Sequence, residues 1–453
     1  MGQAREFVIG AVLALVTAVP AAGQAVRSLE EALAHADRHA YANRIAVAER
    51  NATAGEGLQA WRGILPSVRA EAGWMRTTDP LNAFGFTLRQ RAVTPAAFDP
   101  ARLNHPPATT GVGSALVVEQ PLLNLDAWLG RGAAASATRA AGAMAEWTAT
   151  TTRVQVIQAW FGGVLAAEKV ATLEAAVEAA ESHVRQAALM LEQGMVTRAD
   201  LLLAQVKAGE LRADLLAARG ELSLAARQLA TTIGAPDEAT VHLPATLPAR
   251  TRLDLALERA AEQGARPAER GDVVAARLGE RAARRDLQRA RAAFLPRING
   301  FARYDWSTPD AVFGGKEAWT VGVMASWAPF SGGSELAASR AAQGRAEMAS
   351  AGAEALEARA ALEVAERENA LAVARARLAI ADEAVAQAEE AHRLVSRSYA
   401  GGLSTITELL GAAAAETGAR LARSAALYRT IIAVAERQQA LGLPLDILTA
   451  LGR

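Results

Sequence analysis

No cysteine occurs in the 453-residue sequence. Its absence removes disulfides, zinc–thiolate sites, a catalytic thiol and any lipid anchor on an N-terminal cysteine. Aromatic residues are scarce at 5%, yet hydrophobic residues reach 51%, so alanine and small aliphatic side chains supply most of the apolar content. That mixture suits long, closely packed helices better than one large globular core. An excess of charge of one sign is also missing: 48 basic and 48 acidic residues leave a formal net charge of +0. A uniform attraction to nucleic acid is therefore not indicated, and no nucleic-acid partner is expected. The one long apolar run is "FVIGAVLALVTAVP" (residues 7–20), which follows Arg5 and precedes the small residues "AAGQA". This pattern reads as an export signal over residues 1–25. The run is shorter than the ~20 residues a membrane helix needs. No later stretch approaches that length without charge, so the mature chain is expected to have no membrane-spanning helix.

Catalytic patterns are missing as well. The sequence has no supported Ser/His/Asp order, no phosphate loop and no Cys/His cluster, so no enzyme activity and no cofactor are expected. His35 and His39 lie four apart on an expected helix, but a metal needs a third ligand that the neighbourhood does not offer. "FGGK" (313–316) and "FSGG" (330–333) read as turns. The blocks at residues 277–291 and 366–392 mix both signs of charge, the pattern of solvated helix faces.

What the sequence does contain is a duplication. "ILP" ending at Pro66 recurs as "FLP" ending at Pro296, 230 positions later. "QPL" at 120–122 recurs as "APF" at 328–330, 208 positions later. The same offset of 208 relates "IGAP" (233–236) to "LGLP" (441–444). It also relates "GMVTRADLL" to "GLSTITELL", so that Gly194, Thr197, Asp200 and Leu201 match Gly402, Thr405, Glu408 and Leu409. The drop from 230 to 208 leaves 22 extra residues in the first repeat, within the Pro- and Asn-rich stretch 77–110, which reads as a long loop.

The expected organisation is a first structural repeat over 26–245 and a second over 246–453. Strands are expected near 66–76, 111–121, 296–306 and 319–329, and helical hairpins over 124–233 and 331–441. Period-two alternation marks the strands. Val68, Ala70, Ala72 and Trp74 oppose Arg69, Glu71 and Gly73, and Val112, Leu116 and Val118 repeat the pattern more weakly. Ile298, Gly300, Ala302, Tyr304 and Trp306 oppose Arg297, Asn299, Arg303 and Asp305, while Val321, Val323 and Ala325 oppose Thr320, Gly322 and Met324. Each strand has about the 9–11 residues a tilted membrane strand requires. Trp74, Trp306, Trp319 and Trp327 sit near strand ends, where an aromatic girdle belongs. Residues 125–192 contain no proline, and one continuous helix there would extend on the order of 100 Å. Its far half carries a heptad seam, Val170, Leu173, Val177, Ala180, Val184, Ala187 and Leu191; the second repeat keeps it as Leu378, Ala381, Val385, Ala388, His392, Val395 and Tyr399. Two shorter helical stretches, 28–62 and 197–233, are expected to stack in line along one long helix.

This duplicated layout resembles the TolC-like outer membrane efflux protein family. The resemblance rests on the "LP" strand entries, the "QPLLN" and "APFSGG" strand-to-helix turns, and the paired Gly-x-x-Thr-x-x-acid-Leu breaks. It implies a mainly α fold with a small β part and a duplicated helix–strand–strand–helix repeat. The resemblance further implies a homotrimer whose 12-stranded β-barrel, in outer-membrane lipid, continues as a long periplasmic α-helical barrel. Its implied function is the exit duct of a tripartite efflux pump or type I secretion system, fed by an inner-membrane pump through a periplasmic adaptor (membrane fusion) protein. Gly194, Thr197, Asp200, Leu201, Gly402, Thr405, Glu408 and Leu409 would then form the periplasmic tips, serving as gate and adaptor-docking surface. Where some members place a second acid on the second tip, this chain has Gly411, so an acidic constriction would be weaker. The residues independently demand assembly, because four membrane strands cannot close a barrel and open edges in lipid leave backbone groups unsatisfied. A periplasmic coiled-coil scaffold or adaptor-like protein without a pore is the alternative; it explains the helices but not the strands.

Overall fold

The structure, a computed structural model, describes residues 26–235, 241–262, 269–446 and 451. Residues 1–25, read as an export signal, and Pro236 of the recurring "GAP" lie outside the described residues. The first half of the chain runs α1 (Leu29–His39), α2 (Tyr41–Gln59), β1 (Ser67–Thr77), α3 (Pro80–Arg89), α4 (Pro100–Asn104), β2 (Thr109–Leu123), α5 (Leu125–Glu192) and α6 (Arg198–Ile233). The second runs α7 (Arg250–Glu262), α8 (Gly271–Ala292), β3 (Arg297–Thr308), β4 (Lys316–Ser326), α9 (Ser334–Ala400) and α10 (Ile406–Ala440). The fold is mainly helical with one four-stranded antiparallel sheet in the order β1-β2-β3-β4.

Three local features differ from the sequence expectation. The stretch 28–62 is broken at Ala40, whose extended backbone (φ −56, ψ 132) ends α1 and starts α2. Between β1 and β2 the expected loop holds two short helices, each started by an aspartate cap and a proline: Asp79–Pro80 for α3 and Asp99–Pro100 for α4. And β4 begins at Lys316, ahead of the expected start, because Lys316 and Glu317 continue the pairing with Ser307 and Trp306.

The long helices are uninterrupted, with 68 residues in α5 and 67 in α9. Both α2 and α6 pack along α5, and both α8 and α10 pack along α9. Each long helix is thus matched by two shorter ones in line. The join beside α5 is made where α1 turns into α2: His35 Nδ1 lies 3.0 Å from the carbonyl of Ile233, the last residue of α6. Among the described residues no helix is long and apolar enough to cross a membrane.

The principal core sits midway along the long helices. Val156, Ile157, Trp160, Phe161 and Val164 of α5 are buried there with Leu29 of α1, Leu229 and Ile233 of α6, Leu253 of α7, Leu378 of α9 and Ile431 of α10. Each such side chain contributes about 1.5–3 kcal/mol by leaving water. Elsewhere the bundle is thin: α9 buries six of its 67 residues, four of them alanines. Ion pairs tie antiparallel neighbours along these thin stretches, as in Lys169–Glu221, Glu174–Arg219 and Glu181–Arg212 between α5 and α6. Exposed pairs of this kind add little stability each, and they use the mixed-sign surfaces to pair helices.

Candidate functional site

Two regions carry the candidate residues: the sheet at one end of the long helices and the hairpin turns at the other. In the sheet, the pairing register aligns the faces of all four strands. Trp74 faces Val112, Ala70 faces Leu116, Leu116 faces Tyr304, and Tyr304 faces Trp319. Partners in an antiparallel register share a side, so Val68, Leu116, Ala302, Val321 and Val323 form one apolar surface. Val68, Val321 and Val323 are exposed on it. The opposite surface is charged, with Arg69 bridging Glu71 (2.8 Å) and Glu119 (3.3 Å), and Arg303 bridging Glu71 (3.1 Å) and Asp305 (2.8 Å). Both sheet edges, β1 and β4, have no strand partner among the described residues.

Trp74, Trp306 and Trp319 lie toward the β1–β2 and β3–β4 connections, whereas Trp327 follows β4 at the helical end. Trp74, Trp319 and Trp327 are exposed, and the indole of Trp327 donates to the Phe294 carbonyl (3.1 Å). Trp306 is half-buried, packed edge-on against Phe313 of the β3–β4 turn. The turn glycines Gly315, Gly332 and Gly333 all have positive φ.

At the far end, Gly194 (φ 72) and Gly402 (φ 71) adopt the left-handed backbone that ends α5 and α9. The ending is the same in both hairpins. Met195 N donates to the Met190 carbonyl (2.9 Å), and Leu403 N to that of Ser398 (2.8 Å), the six-to-one bond of a glycine-terminated helix. The following helices start with full capping boxes. Thr197 Oγ1 accepts from Asp200 N (3.2 Å) while Thr197 N donates to Asp200 Oδ2 (2.8 Å). Thr405 Oγ1 accepts from Glu408 N (3.2 Å) while Thr405 N donates to Glu408 Oε2 (2.8 Å). The backbone N–H of Thr197 holds the Asp200 carboxyl below the usual carboxylate range, with the Thr197 hydroxyl adding to it; Thr405 does the same for Glu408. Both acids are therefore charged caps on the first turns of α6 and α10, where the helix dipole favours them.

The two tips touch. A Cβ on Gly402 would lie 3.8 Å from Met195 Cε, and beneath them Met190, Ala204, Tyr399, Ile406, Leu409 and Leu410 form a separate buried cluster. Of the candidate leucines, Leu409 is buried and Leu201 half-buried. Met190 and Ile406 do not belong to the matched tip motif; Met190 lies on the last turn of α5 and Ile406 opens α10, and only their apolar character marks them in the sequence. Large apolar side chains remain exposed around the tips at Leu189, Met195, Leu202 and Leu403.

Four histidines form two pairs. His35 and His39 have ring centroids 4.5 Å apart, with His35 directed at the Ile233 carbonyl. His392, on the α9 seam, lies with Nδ1 2.5 Å from Glu416 Oε2 and 5.9 Å, ring to ring, from buried His183 of α5. Among the described residues no three His, Asp or Glu side chains are grouped as a metal requires.

Residues 267–443 match the family model described as outer membrane efflux protein. The chain is 28% identical over 201 residues to the alkaline protease secretion protein AprF of Pseudomonas aeruginosa, an alignment covering 43% of this chain and 41% of that protein. Among solved structures it resembles the outer membrane protein VceC of Vibrio cholerae, with a TM-score of 0.75 and 21% identity over 91% of this chain and 96% of that one. It also resembles the CmeC outer membrane channel of Campylobacter jejuni, with a TM-score of 0.75 and 16% identity over 91% of this chain and 85% of that one. At these identities the structural likeness establishes the fold.

Proposed function

Given that the chain belongs to the TolC-like outer membrane efflux protein family, we propose that it is the outer-membrane exit duct of a tripartite efflux pump or type I secretion system. It is a transport protein rather than an enzyme. Three chains close their sheets into a 12-stranded barrel in outer-membrane lipid, and their helices continue it as a tunnel through the periplasm. The observation that carries this reading is the two-faced, open-edged sheet. Its apolar side suits lipid and its charged side suits a water-filled lumen. Its free β1 and β4 edges leave backbone groups that only neighbouring sheets can satisfy within a bilayer.

At the opposite end, the paired tips form the periplasmic entrance. Asp200 and Glu408 ring the entrance with negative charge, and the exposed Leu189, Met195, Leu202 and Leu403 offer apolar contacts to a periplasmic adaptor, which links the duct to an inner-membrane pump. Likeness to a protein named for protease secretion and to one described as an outer membrane channel supports an export role for both tips and barrel. Trp74, Trp306 and Trp319 serve the outer lipid interface and Trp327 the inner one.

The test is a pair of substitutions on adjacent β4 residues. Val323→Arg directs a charge into lipid and costs about 2–4 kcal/mol near the midplane, so the heat-modifiable trimer should disappear from the outer membrane. Met324→Arg, on the lumen side, should assemble. Equal assembly of the two variants, or a wild-type protein recovered as a soluble periplasmic species, refutes the duct.

A further inference from the structure

The 22 residues that only the first repeat carries fold into something specific. The β3–β4 connection spans residues 309–315, whereas the β1–β2 connection spans 78–108 and contains α3 and α4. α3 lies on the charged side of the sheet. The Phe86 ring rests against Gly111 of β2 so closely that a Cβ there would come within 2.5 Å of it; glycine is required for the approach. Ala83, on the same side of α3 as Phe86, is buried, and Arg91, just past the helix, reaches across the sheet to donate to the Glu317 carbonyl (3.2 Å). Between α3 and the strands lies a cavity of about 670 Å³ lined by Phe86, Arg89, Glu71, Arg303 and Asp305.

The other face of α3 is apolar too. Leu81 is 81% exposed and Leu88 57%; seven residues apart, they share one side of the helix. Phe84 and the exposed Phe98 extend the patch, their rings 5.9 Å apart. A helix that is apolar on both faces belongs in a buried position. Lipid does not cover this face, because α3 sits on the side of the sheet opposite Val68, Leu116 and Val323. Once the barrel closes, the charged side encloses the lumen, and what faces α3 there is α3 of the other two copies. An eight-stranded barrel is filled by its own side chains, while 16–18 strands leave a channel; helices about 10 Å across, seated on three sides of a 12-stranded wall, converge.

We propose that three α3 helices meet at the barrel axis through Leu81 and Leu88, as a lid inside the outer mouth of the duct. This rests on the trimeric barrel proposed above. The lid is held to its own wall by Phe86 and Arg91 and to its copies by the leucine patch, so it restricts entry of external solutes until cargo displaces it.

The natural absence of cysteine makes the test clean. Leu88→Cys places one thiol per protomer near the axis. Under oxidation, the assembled trimer should give one cross-link, seen on denaturing gels as a dimer plus a monomer, since three thiols form a single disulfide with Cα atoms ~4.4–6.8 Å apart. Val323→Cys, facing lipid, should give none. In planar bilayers the double variant Leu81→Ser/Leu88→Ser, changed only at exposed positions, should conduct several-fold more than wild type. An intact, conducting Leu88→Cys trimer that stays monomeric on denaturing gels, or unchanged conductance in the double serine variant, overturns the lid and leaves the barrel standing. Failure of the wild type to form a trimer overturns both.

Discussion

Leu409 and Leu410, on the tip of the second hairpin, are 0% and 8% exposed; Leu202, the counterpart of Leu410 on the first tip, is 51% exposed. The glycine, threonine, acid and leucine pair of the two tips match, and so do the glycine ending and the capping box. Neighbours make the difference. α10 packs against both α9 and α5, whereas α6 packs mainly against α5, so the helices stand in the row α6, α5, α10, α9. The tip inside the row is covered by its own chain, and the tip at its end is bare. The row thus leaves apolar residues exposed at its α6 end. On the proposed function the next protomer continues it.

Truncating the matched leucines Leu410 and Leu202 should produce the largest difference between the tips. Leu410→Ala empties a filled site and should cost about 2–5 kcal/mol, lowering the melting temperature of the detergent-solubilised protein. Leu202→Ala should leave the protomer's fold intact and weaken only trimer assembly or adaptor binding, read from trimer bands on unheated gels and from adaptor pull-down. Equal loss of stability in both variants would mean that the tips are equivalent and the row is wrongly ordered.

Removing the caps should have the same effect at both tips. Thr197→Ala and Thr405→Ala each delete the acceptor for a first-turn N–H, worth about 1 kcal/mol, and amide exchange at Asp200 and Glu408 should quicken alike. A marked inequality would place the difference between the tips in their caps rather than in their neighbours.

A smaller effect separates the row's interior from its tips by pH. Burial, aided by nearby His392, pushes the His183 imidazole below its ordinary value. The unfolded chain therefore binds the extra proton, and stability rises with pH. The contribution is fully present above about pH 6.5 and is lost as pH falls below it. Around His183 stand His392 of α9, Glu416 and Arg420 of α10, and Lys207, Glu210 and Asp214 of α6. Asp200 and Glu408 are also shifted down, but as carboxyls; their capping contribution is lost only as pH falls below about 4. The melting temperature should therefore drop in two separate steps on acidification. His183→Gln should remove the upper one; persistence of that step would assign it elsewhere.

Glu408→Gln should change stability least of all, because the amide oxygen can still accept from Thr405 N. If the tips form the entrance, this variant loses cation selectivity and cation block in planar bilayers. Unaltered selectivity in an assembled trimer would leave Glu408 with capping alone.

The caps, the breaks and the two faces of each strand were readable from residues 194–201, 402–409 and 296–326 because they arise within a few positions of chain. A left-handed glycine, a threonine with an acid three residues on, and alternation at period two act locally, and the duplication states them twice. The seams at Leu173, Ala180 and Ala187 followed from heptad spacing and are buried. Other features depended on which segments meet across hundreds of residues. The break at Ala40 exists where α1 leaves the line of α2 to enter the mid-length core and cap the end of α6. Stretch 77–110 reads as loop from its prolines and asparagines, yet Phe86 finds a glycine on β2, and that fit orders α3 over the charged face. Burial of Leu410 but not Leu202 was decided by the order of helices in the row. Local periodicity sets the conformation and face of each segment; only long-range packing sets which face is covered, and by what.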